Sequence, residues 1–100
     1  MLQFEWDEEK NRKNIAKHGI SFHMAAKVFL DEQRIELFDE KHSAEEDRYR
    51  VIGRMGGKIT IVTVIYTNRG ENIRLISARK ATKWAESEYQ RLYREYNLGE

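Results

Sequence analysis

The sequence predicts an α+β domain of element order β-α-α-β-β-β-β-α, an antiparallel β-sheet with two N-terminal helices and a C-terminal helix. Three observations predict it. Apolar residues recur at spacings of three and four from Phe22 to Leu30 and again after Thr82, but alternate between residues 34 and 79. The stretch 59–67 is the richest β-branched run in the chain. Glycines at 56, 57 and 70 stand between alternating segments, where hairpin turns need residues that tolerate positive φ. A chain of 100 residues with 40% apolar content forms one domain around one core.

The elements follow in order. Leu2, Phe4 and Trp6 alternate with Gln3 and Glu5, which reads as a short edge strand. Asp7 can cap a helix whose first turn carries Glu8 and Glu9. That helix runs to about His18, with Gly19 supplying the left-handed residue that closes it. Only Ile15 and Ala16 are apolar in its body, so they form a narrow packing stripe. Ser21 can cap a second helix in which Phe22, Ala25, Ala26, Phe29 and Leu30 share a face, and residues 31–33 form the exit. Residues 34–38 then read as a strand, 39–47 as a polar loop and 48–54 as the next strand. A hairpin connection at 55–58 leads to the central strand, 59–67, and a tight turn at 68–71 to the last strand, 72–79. In that last strand, alternation puts Arg74, Ile76 and Ala78 on one face and Ile73, Leu75, Ser77 and Arg79 on the other. Thr82 can cap a final helix with Ala85, Tyr89, Leu92, Tyr93 and Tyr96 at helical spacing, and residues 98–100 are expected to fray. The helices are expected on one side of the sheet.

Composition closes off several functions. Without cysteine there is no disulfide framework, thiolate nucleophile or cysteine zinc site. The longest apolar run, residues 59–66, is too short to span a bilayer, and the acidic N-terminus lacks the apolar stretch of a signal peptide. A soluble, cytoplasmic protein without membrane contact is therefore expected. The net charge of +1 hides a segregation by sign. Residues 31–47 hold eight acids against Arg34 and Lys41, whereas residues 54–83 hold seven bases against Glu71 alone. Lys10, Arg12, Lys13 and Lys17 form a second basic block. This pattern suits a basic nucleic-acid surface beside an acidic, solvated one, or ordinary surface charge.

His18, His23 and His42 are the only imidazoles, and no pair has the three- or four-residue spacing of helical metal ligands, so no metal is expected. His18 reads as a favourable cation at a helix C-terminus. No nucleophile elbow surrounds Ser77, and Gly53, Gly56 and Gly57 lack the residues a phosphate-binding loop needs. What remains is a set of cations on β elements: Arg54, Arg69, Arg74, Arg79 and Lys80. Guanidinium groups hold phosphate oxygens bidentately and neutralise charge developing at a phosphodiester. Any single arginine there can equally pair with the acidic 31–47 segment. Tyr49, Tyr66 and Trp84 can serve as base-stacking platforms, while Trp6 and the stripe of Tyr89, Tyr93 and Tyr96 read as core.

Several segments together resemble a known family. Phe4-x-Trp6-Asp7-x-x-Lys10-x-x-x-Asn14-x-x-Lys17-His18-Gly19-Ile20-x-Phe22 looks like the opening of the BrnT toxins. The likeness continues through Asp39-Glu40-Lys41-His42-Ser43, Arg48, Tyr66-Thr67-x-Arg69-Gly70 and the run from Arg74 to Thr82. It covers nearly the whole chain up to Thr82 and departs afterwards, where Trp84-Ala85-Glu86-Ser87 replaces a strongly charged helix start. The resemblance implies a RelE-like fold spanning residues 1–100 and a metal-independent ribonuclease of a type II toxin–antitoxin system, needing no cofactor. It also implies a ribbon-helix-helix antitoxin of BrnA type, through which alone operator DNA is bound. Carried residue by residue, it favours Arg69, Arg74 and Arg79 as the catalytic set. Lys17 and His18 join from the first helix, His18 in a proton-transfer role open to imidazole near neutrality. Lys10, Lys17, Arg54 and Lys80 are the expected RNA contacts. The alternative is a binding module whose arginines position backbone phosphates, or receive a protein partner, without catalysis.

Overall fold

The computed structural model describes residues 2–98, without the side chains of His42 and Leu98. The expected fraying of Gly99 and Glu100 lies outside the described residues, as does the side chain of His42. Strands β1 (Gln3–Glu5), β2 (Ile35–Phe38), β3 (Tyr49–Arg54), β4 (Ile61–Arg69) and β5 (Asn72–Lys80) form one sheet in the order β1-β5-β4-β3-β2. Helix α1 (Glu8–His18) and the single turn α2 (Phe22–Ala25) follow β1, and α3 (Lys83–Leu98) follows β5. Short 3-10 segments lie at Ala26–Leu30 and Glu40–His42. The described residues contain no helix long and apolar enough to cross a membrane.

The expected caps are present at each helix. Asp7 accepts from the amides of Glu9 at 2.8 Å and Lys10 at 3.4 Å, and these bonds hold its carboxyl below the usual range. Ser21 accepts from Met24 N at 3.1 Å, and Thr82 from Ala85 N at 3.2 Å. Gly19 closes α1 at φ 72°, the left-handed region. The central position of β4 also stands as the β-branched run predicts.

Five expectations are corrected. The sheet is antiparallel only from β2 to β5, because β1 joins β5 in parallel through Gln3–Asn72, Phe4–Ile73 and Glu5–Arg74. No hairpin links these two strands, so no turn dictates their relative direction. The helices occupy both faces. One core holds Phe22, Val28, Val51, Val62 and Val64 under α1 and α2, and a second holds Ile52, Ile61, Ala85 and Tyr89 under α3. Strands apolar on consecutive residues, as at Val51–Ile52 and Ile61–Val62, need cover on both sides.

The second helix tightens after Ala25 into 3-10 geometry, which buries Val28 and Phe29 and leaves Leu30 75% exposed. Along β5 the alternation breaks at a bulge. Ile65 faces Ser77 but Tyr66 faces Leu75, so Ile76 is the extra residue. Ile73 and Leu75 therefore share the first core with Ala78.

A buried polar group, rather than the Ile15–Ala16 stripe, fixes α1. Ile15 and Ala16 are exposed, whereas Asn14 is 7% exposed. Its amide donates to Ala78 O and Ile20 O, each at 2.8 Å, and its carbonyl accepts from Ala78 N at 3.1 Å. β1 pairs with β5 only as far as Arg74, and the Asn14 carboxamide takes over as a surrogate strand residue at Ala78.

Asp31 ties the far end of the sheet together. It accepts from Gln33 N at 3.0 Å, Arg54 N at 2.9 Å and the Tyr89 hydroxyl at 2.6 Å. Burial, with the carboxylate beside it, pushes the Tyr89 hydroxyl well above its ordinary pKa. Gly53 lies against this knot: an added Cβ would sit 3.0 Å from both Asp31 Oδ2 and Val28 Cγ2. Gly53→Ala is expected to destabilise the fold by about 1–3 kcal/mol, read as a lower urea midpoint at unchanged slope.

Candidate active site

Alternation along β3 decides where the cations go. Val51 points into the first core, so Arg50, Ile52 and Arg54 face the α3 side, with Arg48 one step before them. Helix α3 covers one end of this row. The Arg54 guanidinium lies 5.8 Å from the Tyr89 ring centroid and 5.2 Å from that of Tyr93, in cation–π geometry. The other end, Arg48 and Arg50, is left uncovered and opens into a cleft of about 950 Å³.

Neighbouring strands extend the floor. Arg50 pairs in register with Ile65 and through it with Ser77, and Ile52 with Thr63 and through it with Arg79. Thr63, Ile65, Ile76, Ser77 and Arg79 all line the cleft. Arg79 therefore approaches from two strands away, roughly 10 Å between backbones at ordinary strand spacing. Lys17 and His18 at the end of α1 reach the same cleft. They arrive there because Asn14, one turn earlier, is bonded to the backbone of Ala78, between Ser77 and Arg79. Thr82 and Trp84 enter from the start of α3, and Asp39, Glu40 and Lys41 from the β2–β3 loop.

That loop is fastened by Ser43. Its hydroxyl donates to Asp39 O at 2.6 Å and accepts from Arg48 N at 2.9 Å. Thr67, buried on β4, donates to Asp47 O at 2.7 Å. Arg48 is thereby delivered to the cleft by two anchored neighbours.

Cations outnumber acids in the cleft, where Lys17, Lys41, Arg48, Arg50 and Arg79 face Asp39 and Glu40. Arg48 faces Glu46 at 3.7 Å, but Lys17, His18, Arg50 and Arg79 make no ion pair or side-chain hydrogen bond among the described residues. The Nε atoms of Arg48 and Arg50 are buried without a hydrogen-bond partner. Arg34 and Arg54, outside the cleft, leave their Nε atoms in the same state, so this feature alone does not mark the cleft. Planar guanidinium forks suit a phosphate's geometry. Among the described residues, no group of three or more His, Asp or Glu is placed to hold a metal ion.

The structure brings together only part of the set expected from the sequence. Arg79, Lys17 and His18 share the cleft. Arg74 does not line it: its Nη1 lies 3.2 Å from Glu5 Oε2, an ion pair that ties β5 to β1. Arg69 is exposed beside the β4–β5 turn, Lys10 on the first turn of α1 and Lys80 at the end of β5, all outside the cleft. Arg54 is engaged by the tyrosines of α3. Of the expected stacking platforms, Tyr66 is core and donates to Glu36 at 2.8 Å, and Tyr49 stacks on it at 5.6 Å. Trp84 alone of the three reaches the cleft. Arg50 is a cleft residue that the sequence reading does not single out. The signal for it is the spacing Arg48-x-Arg50-x-Ile52-x-Arg54, three cations on one face of a strand.

Comparison with known proteins supplies the remaining step. No curated protein matches the chain. The family model for the ribonuclease toxin BrnT of type II toxin–antitoxin systems matches residues 6–84, a span that begins just after β1 and takes in every strand from β2 to β5. That span also contains each cation of the cleft. The chain therefore belongs to the BrnT family, the ribonuclease toxins of type II toxin–antitoxin systems.

Proposed function

We propose that this toxin is a metal-independent endoribonuclease that inhibits translation by cutting RNA in the cleft between α1, α3 and the open end of β3. The observation that carries this reading is the convergence of unpaired Arg50 and Arg79 with Lys17 and His18 on one cleft. The RNA 2′-hydroxyl attacks the adjacent phosphorus and gives up its proton. The bond to the 5′-oxygen breaks, and that oxygen takes a proton. The products are a 2′,3′-cyclic phosphate and a 5′-hydroxyl. Arg79, Arg50 and Arg48 neutralise the charge gathering on the phosphorane-like transition state, as fixed donors in a partly desolvated site. His18 takes one of the two proton-transfer roles, and Lys17 holds a flanking phosphate. Arg74, committed to Glu5, holds the sheet edge, and Arg69, Lys10 and Lys80 meet RNA only beyond the cleft.

A toxin of this kind is held in check by a protein. The partner we propose is a BrnA-type ribbon-helix-helix antitoxin, with operator DNA bound through the antitoxin alone.

The test is a time course of the partner-free protein on total RNA with EDTA present, followed by end-group analysis. Cyclic phosphates and 5′-hydroxyl ends are the expected products. Cleavage that EDTA abolishes would overturn metal independence. Intact RNA that is nonetheless bound, with affinity falling steeply as salt rises, would replace the enzyme by a non-catalytic binding module.

A further inference from the structure

Trp84 is 58% exposed, on the first turn of α3, and lines the cation cleft. The neighbouring Ala85 is 4% exposed and packs with Tyr89 on the sheet, which turns the indole off the packed face of the helix. Its ring is uncommitted: Trp84 makes no ring contact and no side-chain hydrogen bond among the described residues. Phe38, the second aromatic ring among the described cleft residues, is 51% exposed and makes a T-shaped contact with Tyr49 at 5.7 Å. An open indole face thus lines the same cleft as Arg50 and Arg79, which make no ion pair or side-chain hydrogen bond among the described residues.

Apolar π-surface does not hold phosphate, but a nucleobase stacks on it, and cationic floors with aromatic platforms are how single strands are gripped. The hydroxyls of Ser77, Thr63 and Thr82 line the same cleft and offer polar contacts to a base edge. A base can reach an indole only when it is out of a duplex stack.

We propose that Trp84 stacks on an unpaired base flanking the phosphate held by Arg79 and Arg50, and so restricts this toxin to single-stranded RNA. This rests on the ribonuclease reading. Trp84 acts as a positioning residue: stacking sets where the strand lies and leaves the cations to act on the phosphate.

The probe is a 2′-O-methyl oligoribonucleotide, which lacks the attacking hydroxyl, followed by fluorescence anisotropy at fixed salt. Trp84→Ala is expected to weaken single-strand binding by about tenfold, with Trp84→Phe restoring most of it and the melting temperature unchanged. A scan of abasic substitutions should find one position where losing the base costs the parent about tenfold and costs Trp84→Ala nothing. With cleavable RNA, Trp84→Ala should raise KM more than it lowers kcat. The same oligonucleotide in duplex form should bind parent and variant alike.

Equal single-strand binding by Trp84→Ala, or an abasic penalty that persists in that variant, overturns the proposal while leaving the ribonuclease reading intact. So does a Trp84→Ala protein with parental RNA binding that escapes its antitoxin, since the indole is then a protein contact. A parent that neither binds nor cuts RNA overturns both readings together.

Discussion

Arg79→Ala is expected to lower the rate of RNA cleavage by about 10²–10³-fold, close to abolition in an end-point assay. The melting temperature should stay near that of the parent. The two halves of this expectation rest on one feature of the residue. Arg79 is exposed at the cleft and makes no ion pair or side-chain hydrogen bond with the other described residues, so folding gains little from it. Its charge is available to a substrate and otherwise idle. Arg79→Lys keeps the charge but loses the fork, and should recover only part of the rate. Arg50→Ala should also cut the rate, because Arg50 reaches the same cleft from two strands away. A folded Arg79→Ala protein with full activity removes Arg79 from the chemistry. Comparison with Arg74→Ala separates two arginines that alternation alone leaves equivalent. Losing the Arg74–Glu5 pair should loosen the β1 edge and lower stability modestly, with activity following stability rather than collapsing.

What is legible in the sequence is what is decided locally. Asp7, Ser21, Thr82 and Gly19 sit at the helix ends their types predict, because a cap is a contract between residues a few positions apart. The β-branched run at the centre of the sheet, and the convergence of Arg79, Lys17 and His18, also stand in the sequence and its family likeness. The parts that are not legible depend on contacts between distant residues. Asn14 and Ala78 are bonded across most of the chain, and no pattern near Asn14 marks it as buried. The bulge at Ile76 is a mismatch in length between β4 and β5, so alternation read along β5 alone does not find it. Arg50 is hidden for a different reason. Its strand is plain in the sequence, but helices expected on one side of the sheet leave no second face for a site. Only with α3 covering Ile52 and Arg54 does the uncovered pair Arg48 and Arg50 come to line a cleft.

Asn14→Ala should destabilise the fold more than Gly53→Ala or Arg74→Ala, by about 2–4 kcal/mol, because it strands buried backbone groups on three sides. Ala78 loses both its donor and its acceptor, and Ile20 O loses its donor. Urea denaturation reads this as a lower midpoint at unchanged slope, and hydrogen exchange at the Ala78 amide should lose protection. Asn14→Asp should not restore the parent. A carboxylate can still accept from Ala78 N, yet two of the three bonds require a donor, and both carbonyl oxygens would then face negative charge. The functional consequence should exceed the thermodynamic one. Lys17 and His18 lie within about a turn of Asn14, and its grip on Ala78 anchors the end of α1 beside the cleft that Arg79 also lines. Assayed well below its melting temperature, where nearly all molecules are folded, Asn14→Ala should still cleave more slowly than the parent. Parental activity under those conditions would mean that the end of α1 finds the cleft without this bond. An unchanged urea midpoint would mean that water replaces the carboxamide at no cost.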